Sequence, residues 1–238
     1  MHTIKVIADG LTKRDRFMRR WGVSFLIDED VLFDTFGDPG VFLRHVRRFY
    51  VDLSKIRHIV LSHDHWDHVS GLWDILERHR NVTVYVCPHG EPGIKSRIAS
   101  YGVSVVEASP FTQIKDGIFS TGEIPATFGE SRIFEQSLVI KFLKKLTLLT
   151  GCAHPGVIRI VDTVNRRFSR ERILAVIGGL HLRDVSPAQA RNVVLALRSR
   201  GVAEVSPMHC TGRAATRLFA REFGPHFFRL REGDTAEA

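Results

Sequence analysis

The chain has 238 residues, 44% of them hydrophobic, 25% charged and 9% aromatic, with 19 Gly and 9 Pro. These proportions exclude a disordered or collagen-like chain, and three scattered cysteines, Cys87, Cys152 and Cys210, exclude a disulfide framework and point to reduced thiols. The formal charge of +8 arises from 34 basic against 26 acidic residues, with Arg predominating; it is spread along the chain, so it suits an anionic small molecule, nucleic acid or simply an Arg-rich surface.

No stretch approaches the roughly 18 uninterrupted apolar residues of a bilayer span, and the opening MHTIKVIADGLTKRDRF lacks the apolar core of a signal peptide. A cytoplasmic protein without a membrane partner is expected. Strand-like pieces at Thr3 to Ala8, Val23 to Ile27 and Val31 to Phe33 form a meander, followed by helical spacing over Val41 to Tyr50 and a short β-branched run at Ile59 to Leu61. Helices are then expected near Gly71 to His79 and Ile94 to Tyr101, with strands at Val82 to Val86 and Val103 to Glu107. Further strands fall at Gly117 to Thr121, Ser137 to Phe142 and Leu146 to Thr150.

The last third alternates more clearly. A helix over Val157 to Arg167 turns Val157, Ile160, Val161 and Val164 inward, and the strand Leu174 to Ile177 follows. Ser186 as N-cap, Pro187 at the first position and Gly201 beyond the end punctuate the next helix. The strand Val202 to Val205 and a helix over Gly212 to Phe223, closed by Gly224, complete the pattern. With no linker, repeat or low-complexity segment, residues 1–238 read as one α/β domain.

Four stretches place histidine immediately after an apolar strand. They are Ser62-His63-Asp64-His65-Trp66-Asp67-His68, Gly151-Cys152-Ala153-His154, Gly178-Gly179-Leu180-His181 and Met208-His209-Cys210. Loops at the ends of neighbouring strands converge on one edge in layered α/β folds, so residues distant in sequence can share a site there. His63 and His65, two apart in an extended segment, project to one side, and their nitrogens suit a cation at about 2.0 to 2.1 Å. Asp67 and His68 follow as the chain turns, and four ligating groups within six residues suggest two adjacent metal positions.

This string, His63-x-His65-x-Asp67-His68 after an apolar strand, resembles the signature of the metallo-β-lactamase fold superfamily. Further matches are Gly22 to Ile27, Leu32-Phe33-Asp34-Thr35, Asp52 to Ile56, Thr150 to His154, Gly178 to His181 and His209-Cys210-Thr211-Gly212. Together they resemble the branch that includes the dihydropterin ribofuranosylaminobenzene phosphate synthase of methanopterin biosynthesis. The resemblance implies an αβ/βα four-layer sandwich, two mixed β-sheets between outer helices. It makes His63, His65 and His154 ligands of one cation, with Asp67, His68 and His209 around a second. Superfamily hydrolases often carry a bridging Asp where Cys152 stands, so Cys152 is either a soft ligand or a small buried residue; the branch usually has Gly where Phe36 stands.

His181, behind two glycines, is open as ligand, proton donor, substrate contact or structural residue. Asp34 is expected either to orient a ligating imidazole or to end a strand. Cys87 and Cys210 read as packing residues, and His2, His45, His58, His79, His89 and His226 as surface residues. Nitrogen and carboxylate donors with a possible thiolate suit two divalent cations, Zn foremost, with Mn or Fe also compatible. Such cations bring the pKa of bound water from near 15.7 towards roughly 7, which predicts hydrolysis or a related displacement, with Asp67 orienting the water. Helix starts after His154 and His209, with Arg213 behind Gly212, suit a phosphate. The expected substrate is therefore a small anionic metabolite; a nuclease, a di-iron electron carrier and a non-catalytic metal sensor on the same fold are the alternatives.

Overall fold

The computed structural model describes residues 1–238, apart from the side chain of Lys13. Thr3–Gly10 (β1), Gly22–Ile27 (β2) and Val31–Phe33 (β3) form the expected antiparallel meander, but a five-residue helix, Lys13–Phe17 (α1), interrupts it. Its sequence, KRDRF, carries no apolar period; a capping box between Thr12 and Asp15 starts it instead. Pro39–Arg48 (α2), capped by Asp38, leads to His58–Val60 (β4). Trp66–Val69 (α3) and Leu72–Arg78 (α4) then lead to Thr83–Val86 (β5), and Pro92–Ser100 (α5) to Ser104–Glu107 (β6). Strands β3 to β6 pair in parallel, as strands joined through crossover helices must.

The chain crosses to a second sheet through Gln113–Lys115 (β7) and Ile118–Ser120 (β8). A separate hairpin of Ile124–Phe128 (β9) and Ser131–Glu135 (β10) follows, then Leu138–Phe142 (β11) and Lys145–Thr150 (β12). Val157–Arg167 (α6), Arg172–Gly179 (β13), Pro187–Ser199 (α7), Glu204–Met208 (β14) and Arg213–Phe223 (α8) complete two parallel crossovers. Thr235–Glu237 (β15) returns to pair with β1. The first sheet runs β15-β1-β2-β3-β4-β5-β6 and the second β14-β13-β12-β11-β8-β7. The hairpin, β7 and β15 were not legible as elements, because polar or proline-containing sequence hides their alternation.

Three apolar clusters hold the layers. Phe25, Phe33 and Val60 of the first sheet meet Leu138, Ile140, Leu149 and Ile177 of the second. Phe42, Ile75, Leu76 and Ile98 seal α2, α4 and α5 onto the outer face of the first sheet. Ile160, Val164, Val194, Leu197 and Phe219 do the same for α6, α7 and α8 on the second. The result is helix, sheet, sheet, helix, the four-layer sandwich that the resemblance implies. Among the described residues, no helix is long and apolar enough to cross a membrane.

Candidate metal centre

Every histidine-bearing stretch follows the C-terminal end of a parallel strand: His63 to His68 after β4, His154 after β12, His181 after β13 and His209 after β14. Parallel strands share that edge, so the fold brings the stretches together. His65 is the N-cap of α3, and Asp67 and His68 lie on that short helix rather than in the turn expected for them. A Cβ on Gly22 would meet the Asp67 carbonyl oxygen at 1.8 Å, so only glycine lets β2 approach α3 this closely.

Two sets of ligating atoms result. Those of His63, His65 and His154 lie within 4.8 Å of one another, and so do those of Asp67, His68 and His209. His63 Nε2 is 3.1 Å from His65 Nδ1, and the three ring centroids of the first set are 4.7 to 4.9 Å apart. In the second set Asp67 Oδ2 lies 3.5 Å from His68 Nε2 and 3.4 Å from His209 Nε2. The buried Nε2 atoms of His154 and His209 have no hydrogen-bond partner. Buried nitrogens are rarely left unpaired, and one such atom in each set is what a cation would satisfy. The donors present therefore fit two divalent cations.

Protonation follows from burial and neighbours. Burial, then the other imidazoles, pushes His63 well below its ordinary value and His154 down to about 2, so both keep free lone pairs at neutral pH. Burial works against the charge on His68 too, but Asp34 and Asp67 outweigh it and hold that imidazole well above its usual range. Burial likewise opposes ionisation of Asp67, and the His68 and His209 rings overcome it, keeping the carboxylate charged.

Buried groups brace the ligands from behind. Asp34, at the end of β3 and fully buried, accepts from Ser62 N at 2.7 Å and Ser62 Oγ at 2.7 Å and pairs with His68 Nδ1 at 2.6 Å, which aims His68 Nε2 inward. Ser62 Oγ also lies 2.8 Å from His63 Nδ1. Glu135, which the sequence reading did not single out, closes β10 and accepts the N–H groups of Cys152, Ala153 and His154 at 2.6 to 2.9 Å. Burial nevertheless raises its carboxyl to about 7. The adjoining Gln136 holds Ser62 O and Leu61 O through its backbone and side-chain amides. An Glu-Gln pair just before an apolar strand was the available signal. Asp9 accepts from His209 N at 2.9 Å, and His209 Nδ1 bonds Gly10 O, leaving Nε2 facing Asp67.

Cys152 is buried where the two sets meet, its Sγ 3.3 Å from His68 Nε2. Cys210, read from sequence as packing, is also buried here; its Sγ accepts from His181 N at 3.3 Å and groups with Cys152 and His209. Burial opposes ionisation of Cys210, but the Cys152 hydrogen bond and the His209 and His181 rings pull its thiol well below the ordinary value. His181 is raised, first by its hydrogen bond to Cys210. It stands on the wall of a cavity of about 460 Å³ with His65, Asp67 and His154 at one side. Trp21, Trp66 and Phe128 supply aromatic walls, and Arg16 and Arg183 the cations. Arg183 is fixed by a 2.9 Å bond to Leu11 O and by stacking 3.9 Å over Trp21.

Arg213 is not among the residues lining this cavity; it lies exposed on the first turn of α8, separated from His209 by the buried Cys210, Thr211 and Gly212. Cys87, His2, His45, His58, His79, His89 and His226 join none of the ligand groups. Most of these have other work: His2 pairs with Asp28, and His45 and His79 bond the carbonyls of Ile7 and Ile56.

The family model described as the metallo-β-lactamase superfamily matches residues 22–209, and the chain belongs to that superfamily. It is 28% identical to the 7,8-dihydropterin-6-methyl-4-(β-D-ribofuranosyl)-aminobenzene-5'-phosphate synthase of Methanocaldococcus jannaschii, over 91% of this chain and 90% of the relative. Among solved structures it resembles Tm1679, a metal-dependent hydrolase of the β-lactamase superfamily, with a TM-score of 0.79 and 26% identity over 100% of this chain and 99% of that one. A diphosphatase of the PhnP family shares the fold at a TM-score of 0.62 and 16% identity, covering 100% and 98% of the two chains.

Proposed function

We propose that the chain is a metal-dependent enzyme, a hydrolase or a related synthase, acting on a small phosphate-bearing metabolite. The observation that carries this reading is the pair of ligand sets, each with one buried imidazole nitrogen lacking a partner. Likeness to a synthase whose name specifies a 5'-phosphate supports the substrate class.

When bound, divalent cations there supply a nucleophile from water at neutral pH and polarise the attacked centre. His63, His65 and His154 would hold one cation, and Asp67, His68 and His209 the other, with Cys152 between them. The ionised Asp67 also orients the water. His181, protonated more readily than a free imidazole, faces the cavity and donates a proton to the departing oxygen. Arg183, stacked and anchored, and Arg16 bind the anionic group, replacing the role expected of Arg213. Trp21 and Trp66 cover the apolar part of the substrate and exclude water.

The test is metal analysis of protein purified without added metal, with a panel of chromogenic phosphomonoesters and phosphodiesters. We expect bound Zn, Mn or Fe, turnover by the wild type, and a loss of at least about 100-fold in Asp67→Ala with the fold intact. His63→Ala should lose cation; full occupancy in that variant, or no turnover on any probe, would overturn the reading. Salt-sensitive cleavage of RNA in place of the small esters would favour the nuclease alternative.

A further inference from the structure

We infer that Cys210 is a metal ligand, giving the cation at Asp67, His68 and His209 two thiolates, Cys152 and Cys210, so that the two metal positions differ in kind. This rests on the metal reading proposed above and extends it to a residue outside the expected ligand set.

Geometry supports the placement. Donors at about 2.0 to 2.3 Å from one cation are separated by roughly 3 to 3.8 Å, and Asp67, His68, His209, Cys152 and Cys210 together would make this position five-coordinate. Around this position the separations are 3.3 Å from Cys152 Sγ to His68 Nε2, 3.4 Å from His209 Nε2 to Asp67 Oδ2 and 3.5 Å from His68 Nε2 to Asp67 Oδ2. The ligating atoms of Cys152, His209 and Cys210 all lie within 4.8 Å of one another, close enough for a small closure around an ion. His209 is 0% exposed and its Nε2 has no hydrogen-bond partner, so one imidazole common to both triads is aimed at the shared position.

A cation at Asp67, His68 and His209 alone would satisfy that nitrogen, so the case for Cys210 rests on where its sulfur lies: with Cys152 and His209 in one group of ligating atoms. Both thiols are nearly sealed from solvent, at 4% and 6% exposure, and bond only weakly to their surroundings: Cys210 Sγ sits 3.5 Å from Cys152 O and 3.3 Å from His181 N. Cys87 is equally buried and likewise donates to a backbone carbonyl, Ser62 O at 3.6 Å, but it groups with no imidazole. Glycine at 179 allows the arrangement, since a Cβ there would meet Gly151 O at 2.2 Å and Cys210 Sγ at 2.7 Å.

Soft donors select soft cations. The position at His63, His65 and His154 is mainly nitrogen, with Cys152 at its edge, and accepts Zn, Fe or Mn, whereas a thiolate pair favours Zn, Co or Cd over Mn. Ligation sends the thiol protons to solvent, so uptake at this position becomes more favourable as pH rises.

Cobalt reads the sulfur directly. Metal-free wild type, Cys152→Ser, Cys210→Ser, the double variant and a Cys87→Ser control are titrated with Co²⁺ under a non-thiol reductant, with circular dichroism to check the fold. We expect a near-ultraviolet sulfur-to-cobalt charge-transfer band in the wild type and in Cys87→Ser. It should fall to roughly half in each single variant at the site and vanish in the double variant, because each ligating sulfur contributes its own transition. Binding of cobalt with a band unchanged in a folded Cys210→Ser overturns this inference and leaves the metal reading standing. Failure of the wild type to bind cobalt at all overturns both. Should Cys210→Ser fail to fold, Cys210→Ala provides the same spectral comparison, and a band unchanged in that folded variant overturns the inference equally.

Discussion

Asp34 shows how one side chain organises the centre. It takes up the backbone and hydroxyl of Ser62 and the Nδ1 of His68 in a pocket with no access to water. Asp34→Ala removes the group that fixes the His68 tautomer, and we expect metal affinity to drop about 10- to 100-fold in competition with a chromophoric chelator. Unchanged affinity would reduce Asp34 to a strand-ending residue. Glu135 gives a pH signature. Its carboxyl is raised from 4.5 to about 7, chiefly by burial. Between those values the folded chain keeps a proton that the unfolded chain has released. The stability from this group is therefore complete below about 4.5 and is lost as pH rises through about 7. Metal-free wild type should lose stability relative to Glu135→Gln over that interval by at most about 1.4 kcal/mol per pH unit, measured by urea denaturation at several pH values. Parallel pH profiles for the two proteins would show that the buried carboxyl is not the cause. Phe36 carries a different lesson: φ is +62° where a glycine was expected, and the ring is only 1% exposed. Packing among the residues of α2 and α4 offsets a backbone conformation that a bulky side chain seldom adopts.

At the level of elements, legibility followed apolar period and punctuation. The helix α7 was clear because Ser186, Pro187 and Gly201 frame it, and the structure adds a capping box with Gln189. Ser186→Ala should cost about 1 kcal/mol in chemical denaturation without altering metal content. The hairpin β9–β10 was hidden, since IPATF and SRIFE break alternation with proline and charge. It nevertheless connects both halves of the centre: Glu135 and Gln136 at its end hold the loops after β12 and β4, and Phe128 at its turn lies 5.0 Å, ring to ring, from His65 and His154. The contact of β2 with α3 allows a sharper test. Gly22 has φ +112° and no room for a Cβ against Asp67 O, so Gly22→Ala should displace α3 and lower both cation content and melting temperature. Normal occupancy in that variant would mean that α3 tolerates movement.

For the whole molecule, the succession of elements and the convergence of the histidines could be read because each cluster follows a strongly apolar strand, whereas the order of strands within the sheets could not. The ligand sets could be paired because the family pattern assigns them. The position of Cys210 beside Cys152 and His209, the bracing by Glu135 and the Arg16–Arg183 wall could not, since each depends on which loops meet across the sandwich, and no local pattern encodes that. The two sheets share a face through Phe25, Phe33, Leu138 and Leu149, so cations bound at their common edge, as proposed above, would tie the halves together. Chelation should lower the melting temperature reversibly; a cation present at 100 times its dissociation constant contributes about 2.7 kcal/mol.

The division of the ligands along the chain also sets a schedule. His63 to His68 leave the ribosome early, whereas His154 and His209 follow some 90 and 140 residues later, by the numbering of the chain. A nascent polypeptide lacking β14 therefore has no complete ligand set beside Asp67, and on the two-cation reading proposed above that position could fill only once synthesis has all but finished.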